Sequence, residues 1–175
     1  AERNRPLTSG DRVSTGRDGR AEVRIGSTTL TLDEATEVEF QRLDDEQLRL
    51  QLHRGSLALR LRSREVAAET VVGTDEAWLR PLVGGLYRLD RDDDTTYAGS
   101  WRGEWRVEDE PSLRVDNGRR LMLWREGRTR ELRHRWRDPL DDAFAQRVLQ
   151  ADRDETRSAS AAYVSPEMTG WEDLD

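Results

Sequence analysis

The fold class is decided by the stretch LRLQLHRGSLALRL, residues 48–61. Leucine occupies every second position over residues 48–52 and again over 57–61, with polar or small residues between. A period of two places the leucines on one buried face of a β-strand and the remaining side chains on the other face. Residues 53–55, which separate the two runs, have the composition of a turn. The stretch therefore predicts two β-strands joined by a turn.

Alternating runs of the same kind fill the chain from residue 12 to about residue 133. Ala21, Val23 and Ile25 alternate with charged residues, and turn signals such as Asn117-Gly118 separate one run from the next. Short strands with turns every 8–12 residues or so are typical of all-β domains. We expect an all-β body over residues 1–137, either a β-sandwich or roll or a short β-solenoid, with about 10–12 short strands.

Residues 138–157 predict one C-terminal helix. Asp138 is placed to cap it, and Pro139 suits the first helical position. One apolar stripe runs along the helix at residues Leu140, Phe144, Val148 and Ala151. Such a stripe predicts that the helix docks on the β body. Residues 158–175 show no periodicity and are expected to form an extended tail, either a linker or the start of a truncated C-terminal module.

Composition excludes several functional classes. The chain has 175 residues, a net charge of −7, no cysteine, and 29 basic residues that are all arginine. Without cysteine and lysine there is no disulfide scaffold, no cysteine-based zinc or iron–sulfur site, no P-loop lysine and no Schiff-base lysine. No run approaches the roughly 18 consecutive apolar residues of a transmembrane helix. We expect one domain with a short appendage and no membrane span in this chain.

Residues that could carry chemistry are few. His53 and His134 have no second histidine at metal-ligand spacing, and no motif typical of nucleotide binding or zinc proteolysis occurs. The acidic run over residues 90–94 lacks the glycine of a calcium loop, so it is interpreted as a hairpin loop. The sequence predicts a protein that is not an enzyme, with no catalytic, cofactor-binding or metal-binding residues and no cofactor.

A basic block extends over residues 118–137, with eight arginines and two acidic residues. Its arginines alternate with leucines, which is typical of the outer face of a half-buried hairpin. The block is either an anion-binding stripe or a solvated strand pair. Because the chain as a whole is acidic, we expect no nucleic-acid partner. The candidate partner-binding residues in the block are Arg128, Arg130, Arg133 and Arg135.

An aromatic run supplies two further candidates. If the strand continues through residues 101–105, Trp101, Gly103 and Trp105 share one face, and the glycine leaves a shallow slot between the two rings. Such a slot suits a sugar ring or a side chain of a partner protein. The alternative is that these tryptophans belong to the hydrophobic core.

Five segments together resemble the FecR domain. They are residues 6–16, 20–26, 50–57, 85–90 and 115–118. In that family they are strand–turn repeats of an all-β domain with glycines at the turns. Residues 163–175 are similar to a junction found in a branch of exported bacterial FecR-domain proteins, where it leads into a Trp/Pro/Gly-rich domain of unknown function. The resemblance implies that this chain lacks that domain and begins after the first strand or hairpin of the family.

The resemblance also carries expectations about function. It implies a periplasmic or secreted product that acts as a sensor or binding domain. FecR proteins of iron uptake regulate sigma factors through a cytoplasmic segment and a membrane helix, and this chain shows neither, so a regulatory output is in question. We expect a non-catalytic exported domain that recognises an envelope protein or glycan, and cell-surface signalling is a role that fits this expectation. Two alternatives stay open, a structural spacer that displays a C-terminal domain and a polysaccharide hydrolase that uses two carboxylates.

Overall fold

The computed structural model describes residues 6–162, and the last four of these by their backbone only. Within that range the chain forms thirteen β-strands and two α-helices. The strands are β1 Arg12–Ser14, β2 Ala21–Ile25, β3 Thr28–Leu32, β4 Glu37–Leu43, β5 Leu48–Leu61, β6 Thr70–Gly73, β7 Trp78–Pro81, β8 Gly85–Asp92, β9 Thr95–Arg102, β10 Trp105–Val107, β11 Arg114–Val115, β12 Arg119–Glu126 and β13 Glu131–Arg137. The helices are α1 Arg64–Ala68 and α2 Ala143–Ala162. The all-β prediction with a C-terminal helix is confirmed.

The strand β5 is common to both halves of one curled sheet. Its first half pairs with β4 and, in parallel, with β6, whereas its second half pairs with β3 and β8. One half of the sheet has the order β1-β4-β5-β6-β7-β10-β11, and the other has the order β2-β3-β5-β8-β9-β12-β13. Both halves contribute to a single hydrophobic cluster, which shows that the core lies between them.

A bulge in β5 replaces the turn predicted at residues 53–55. Val38 pairs with Leu52 while the preceding Glu37 pairs with Arg54, so His53 is an extra residue in β5. The extra residue changes the phase of the alternation by one. The leucines of residues 48–52 and of 57–61 can therefore all face the core, although one set is even-numbered and the other odd-numbered.

Gly55 follows the bulge in a left-handed conformation, with φ of +92°. A Cβ atom at this position would lie 2.2 Å from Oγ1 and 2.6 Å from Cα of Thr36. The close approach lets the Thr36 hydroxyl accept a hydrogen bond of 3.1 Å from the backbone N–H of Ser56. Glycine is thus required here both by the backbone conformation and by the contact with the β3–β4 connection.

The strand count and the helix positions differ from the predictions. The strand count exceeds the predicted 10–12 because β10 and β11 are only three and two residues long, too short to show alternation. The five-residue helix α1, capped by the hydroxyl of Ser63, was not predicted because it is too short for helical periodicity. Parallel pairing occurs only between β5 and β6 in the described part of the chain, which favours the roll over the solenoid.

The C-terminal helix begins four residues after the predicted first helical position. Asp142, and not Asp138, caps it, since its carboxylate accepts a 2.9 Å hydrogen bond from the backbone N–H of Ala145. The helix also continues to Ala162, past the predicted end at residue 157. The β body up to Pro139 and the helical unit from Leu140 are separate compact units. Docking of the helix on the β body stays a prediction.

Two predicted terminal features fall outside the described residues. The tail over residues 158–175 is described only at its first five positions, which continue the helix. The start of the chain, residues 1–5, is likewise outside.

We predict that Gly55→Ala strongly destabilises the protein. The added Cβ meets backbone and side-chain atoms of Thr36, and the left-handed conformation is strained for alanine. The expected loss in the free energy of unfolding is about 3 kcal/mol or more, measured by urea denaturation.

Gly10→Ala is the matched control for this prediction. Gly10 has φ of +93°, and nothing lies within 4 Å of the position of its Cβ. Gly10→Ala therefore introduces the conformational strain without a steric clash, and the expected loss in the free energy of unfolding is about 1–2 kcal/mol. Equal losses in the two variants would show that the contact with Thr36 does not constrain β5.

Candidate protein-binding surface

The candidate surface is the basic hairpin, which we define as β12, β13 and the loop of residues 127–130 between them. The strand β13 pairs with β12 alone, so it forms an edge of the sheet in the described part of the chain. Apart from Leu132, every residue of β13 is exposed. At seven residues, β13 is longer than the edge strands β1, β2 and β11. The basic hairpin is thus the most extended exposed edge of the β body.

The register of the hairpin separates its two faces. Leu121 and Leu123 of β12 are fully buried, and they pair with Trp136 and His134 of β13. Paired residues of neighbouring strands point to the same side of a sheet, so the alternate residues of β13 point to the outer side. These outward-facing residues are Arg133, Arg135 and Arg137. The predicted separation of leucines and arginines on opposite faces is therefore present.

The four predicted arginines do not all carry an unpaired charge. Arg128 and Arg130 lie in the loop and Arg135 lies on β13, and within residues 6–162 their side chains make no hydrogen bond or ion pair. Arg133 differs, since its guanidinium lies 3.2 Å from the carboxylate of Glu126 and 3.0 Å from that of Glu131. Arg128 and Arg135 are available to an anionic partner. Arg130 is available as well, although its charge also acts on the buried carboxylate of Glu76, whereas Arg133 is already neutralised.

Trp105 is wrongly placed at a binding slot by the sequence prediction. It is fully buried, and its ring centroid lies 4.8 Å from that of Tyr87 in the core. The strand does not continue through this region, because β9 ends at Arg102 and Gly103 has φ of +99°. A Cβ at Gly103 would lie 2.5 Å from the Tyr87 hydroxyl, so the tyrosine occupies the space expected to be a slot.

Trp101 lies at the other end of the sheet from the hairpin loop. It is half-buried near the end of β9, next to Ser100, which pairs with Arg119. From that pair to the loop, β12 runs for seven more residues, a distance of roughly 20 Å in an extended strand. The structure therefore does not bring Trp101 together with Arg128 and Arg130.

Two residues of the surface were missed by the sequence prediction. Trp136 is 36% exposed, and the guanidinium of Arg119 lies 3.6 Å from its ring centroid. Arg137 continues the outward-facing row of arginines by one more position. The alternation of the segment RHRWR already contained the signal for Arg137, whereas the stacking of Arg119 on Trp136 depends on the register of the hairpin.

Arg125 ties the hairpin loop to the rest of the body. Its Nε donates to the backbone carbonyl of Glu76 over 2.9 Å, and another nitrogen donates to the carbonyl of Arg130 over 3.1 Å. A third nitrogen lies 3.0 Å from the carboxylate of Asp109. One side chain thus holds the base of the loop that carries Arg128 and Arg130.

Glu76, whose backbone carbonyl accepts the hydrogen bond from Arg125, is itself held in place by an ion pair. The side chain of Glu76 is only 1% exposed, and Arg91 donates to both of its carboxylate oxygens over 2.8 Å. Burial disfavours the charged carboxylate, but the hydrogen bonds from Arg91 and Thr96 outweigh it and lower the pKa of Glu76. The positive charges of Arg91 and Arg130 add to this effect. Glu76 is therefore a charged, fully satisfied group inside the body.

Arg91 also reaches the bulge of β5. One of its nitrogens donates to the backbone carbonyl of His53 over 3.0 Å. The side chain of His53 makes a separate contact, in which Nε2 lies 2.9 Å from the carboxylate of Glu39. Contacts therefore run from the bulge through Arg91 and Glu76 to Arg125 and the hairpin loop.

The remaining acidic groups of interest are those of the turn between β8 and β9 and Glu37. Asp93 and Asp94 have φ of +43° and +60° and form the tight turn between β8 and β9, as the hairpin interpretation predicted. Among the described residues, no group of three or more His, Asp or Glu side chains is placed to hold a metal ion. The pKa of Glu37 is lowered, because hydrogen bonds from Arg54 and Arg12 outweigh its burial. A general acid of a glycosidase requires the opposite shift.

Comparisons with known proteins find structures of similar fold but no related sequence. No family model and no curated protein match the sequence. Two crystal structures of a "putative anti-sigma factor" from Parabacteroides distasonis ATCC 8503 have a similar fold, with TM-scores of 0.57 and 0.56 at 14% and 13% sequence identity. Each match covers 73% of this chain and 60% of the other. Such low identity shows a common fold and no more. No helix in residues 6–162 is both long and apolar enough to cross a membrane.

We predict that Glu76→Gln destabilises the protein by about 2–4 kcal/mol at pH 7, because Arg91 loses a buried partner. The lowered pKa means that the carboxylate stabilises the fold fully above its unfolded pKa of about 4.5 and progressively less as the pH falls through the folded value. The difference from the wild type, measured by urea denaturation, is therefore expected to shrink below about pH 4.5.

Glu108→Gln is the control. Glu108 pairs with Arg80 over 2.9 Å, but its side chain is 34% exposed. The expected loss is below about 1 kcal/mol. The prediction would be contradicted if Glu76→Gln lowered the free energy of unfolding by as little as the control does. It would also be contradicted if the loss for Glu76→Gln did not change with pH.

Proposed function

We propose that this chain is a non-catalytic binding domain of an exported signalling protein, and that its basic hairpin binds an acidic segment of a partner protein in the cell envelope. The single observation that carries the proposal is the exposed edge strand β13 with Arg128, Arg130 and Arg135 unpaired beside it. Arginine is suited to this role because its planar guanidinium pairs with a carboxylate through two parallel hydrogen bonds.

The edge supplies a second kind of contact. Alternate backbone N–H and C=O groups of an edge strand point away from its neighbour, and an extended segment of a partner can pair with them as an added strand. The outward-facing Arg135 and Arg137 then meet side chains at alternate positions of that segment. Acidic residues at those positions give both the register and the charge complementarity.

Two similarities support a signalling role. The sequence resembles the FecR domain, and the Parabacteroides distasonis structures of similar fold bear the name of an anti-sigma factor. The chain spans 60% of the length of those structures, so a regulatory output of the whole protein is itself part of the proposal. Export to the periplasm or beyond the cell rests on the FecR resemblance, and release of the protein by osmotic shock would test it.

The alternatives have weaker support. The prediction of a glycan ligand was based on a slot between Trp101 and Trp105, and the side chain of Tyr87 fills that space. A hydrolase needs a carboxyl group of raised pKa in a cleft, whereas the pKa values of Glu37 and Glu76 are lowered. A structural spacer needs no exposed charged surface, but it is compatible with everything else in the fold.

The test is capture from an envelope extract by the purified chain and by its Arg128→Glu/Arg130→Glu variant. A photo-crosslinking residue at Thr129, between the two arginines, identifies what touches the loop. We expect the wild type to capture and crosslink a protein, and the variant to lose it with a melting temperature changed by no more than about 2 °C.

Arg17→Glu/Arg20→Glu is the matched control, since it makes the same change in net charge at two exposed positions of the β body between β1 and β2, outside the hairpin. We expect it to retain capture. Capture that survives in the hairpin variant would remove the hairpin from the proposal. Capture that resists protease digestion of the extract would point to a glycan, and no specific capture at all would favour the spacer.

A further inference from the structure

A cavity of about 370 Å³ opens at the end of β5, remote in sequence from the basic hairpin. Its lining consists of Arg60, Leu61, Arg62, Ser63, Arg64, Gly84, Gly85 and Arg102. Four of the eight residues are arginines, and none is acidic. In a chain with a net charge of −7, this is a local concentration of positive charge around a concave site.

The fold brings these arginines together from two strands, the segment that follows β5, and the helix α1. Leu61 is buried in the core, so its neighbour Arg60 lies on the opposite face of β5, and Arg62 follows directly after the last residue of the strand. Arg60 pairs with Leu86 of β8, and Leu86 pairs in turn with Arg102 of β9. Two strand spacings separate Arg60 from Arg102, about 10 Å, a span that two arginine side chains bridge easily.

Two glycines close the floor of the cavity. A Cβ at Gly85 would lie 2.1 Å from the backbone oxygen of Arg102, and a Cβ at Gly84 would lie 3.0 Å from the backbone oxygen of Leu61. Only glycine allows β8 to start this close to both neighbouring strands. The arginines are thus gathered on a packed backbone floor.

Two of these arginines have no charged partner in the part of the chain that the structure describes. Arg62 and Arg64 are exposed at the rim, and their side chains make no hydrogen bond or ion pair within residues 6–162. Many other arginines of the β body have a carboxylate within 4.0 Å, as Arg42 has Asp44 and Arg54 has Glu37. The acidic residue nearest in sequence, Glu65, does not line the cavity.

We infer that this cavity binds a small ligand through a tetrahedral oxyanion, a phosphate or a sulfate group. The guanidinium groups of Arg62 and Arg64, at the rim of one concave site, match the several oxygens of such an anion, and each can donate two parallel hydrogen bonds. Cavities of about 300–1,000 Å³ accommodate small molecules, so the space admits the group that carries the anion as well as the anion itself. The short helix α1 is not the source of the site, since the hydroxyl of Ser63 already caps it.

The inference is independent of the proposed function. It concerns β5, β8 and β9 at the end of the sheet, whereas the proposed protein partner binds β12 and β13. The Arg128→Glu/Arg130→Glu variant is therefore expected to bind the oxyanion as the wild type does.

The test is isothermal titration calorimetry of the whole chain with inorganic pyrophosphate at low ionic strength. We expect saturable one-to-one binding that the Arg62→Gln/Arg64→Gln variant weakens about ten-fold or more, because two charge-assisted hydrogen-bonding groups are removed. Glucose 6-phosphate and glucose 6-sulfate, with glucose as the uncharged reference, then show which of the two esters the cavity prefers.

The control is Arg17→Gln/Arg20→Gln, which removes the same charge between β1 and β2, outside the lining of the cavity, and is expected to leave the affinity within about two-fold of the wild type. Absence of binding at millimolar pyrophosphate would overturn the inference. Equal weakening by the control would overturn it as well, because the anion would then respond to net charge and not to this cavity. Circular dichroism spectra that coincide with the wild type would show that the variants are folded.

Discussion

The arrangement of the β body depends on the contacts of one guanidinium group, that of Arg91. It binds both carboxylate oxygens of Glu76 and also donates to the backbone carbonyl of His53, the extra residue of the bulge. A bulge leaves one residue outside the regular ladder, and a buried carbonyl without a donor is costly. Arg91 supplies that donor while Glu76 balances its charge. The same glutamate offers its backbone carbonyl to Arg125, so the core interaction extends to the base of the candidate binding loop.

Local patterning was enough to predict the fold class, but not the path of the longest strand. The change from even-numbered to odd-numbered leucines between residues 52 and 57 shows that the alternation shifts by one, and both a turn and a bulge produce that shift. What favours the bulge is a hydrogen bond from Arg91, 38 residues further along the chain. The helix start was misplaced for a more local reason, because Asp138 and Asp142 both precede apolar residues and only the hydrogen bonds distinguish them.

The candidate surface was predictable in outline, since the alternation of arginine and leucine already implies which side chains face outward. The charge state of individual arginines was not predictable. Arg133 is neutralised because the hairpin register sets Glu126 opposite Glu131 and brings both within reach, and that register depends on the length of the loop. Trp105 was misassigned because a strand extrapolated through Gly103 ignores the reversal that the positive φ of this glycine introduces.

The sharing of β5 between the two halves has a consequence for how the body comes apart. Each half uses its own half of β5 as its third strand, and the two halves of β5 are one continuous strand through the bulge. Because both halves also contribute to one hydrophobic cluster, local opening of one half exposes the core of the other, and the smallest cooperative unit is therefore the whole body. Slowly exchanging amide protons are expected to lie along β5 and its direct neighbours, with exchange free energies close to that of global unfolding. A chain cut between Leu52 and Leu57 would leave two fragments that fold only together.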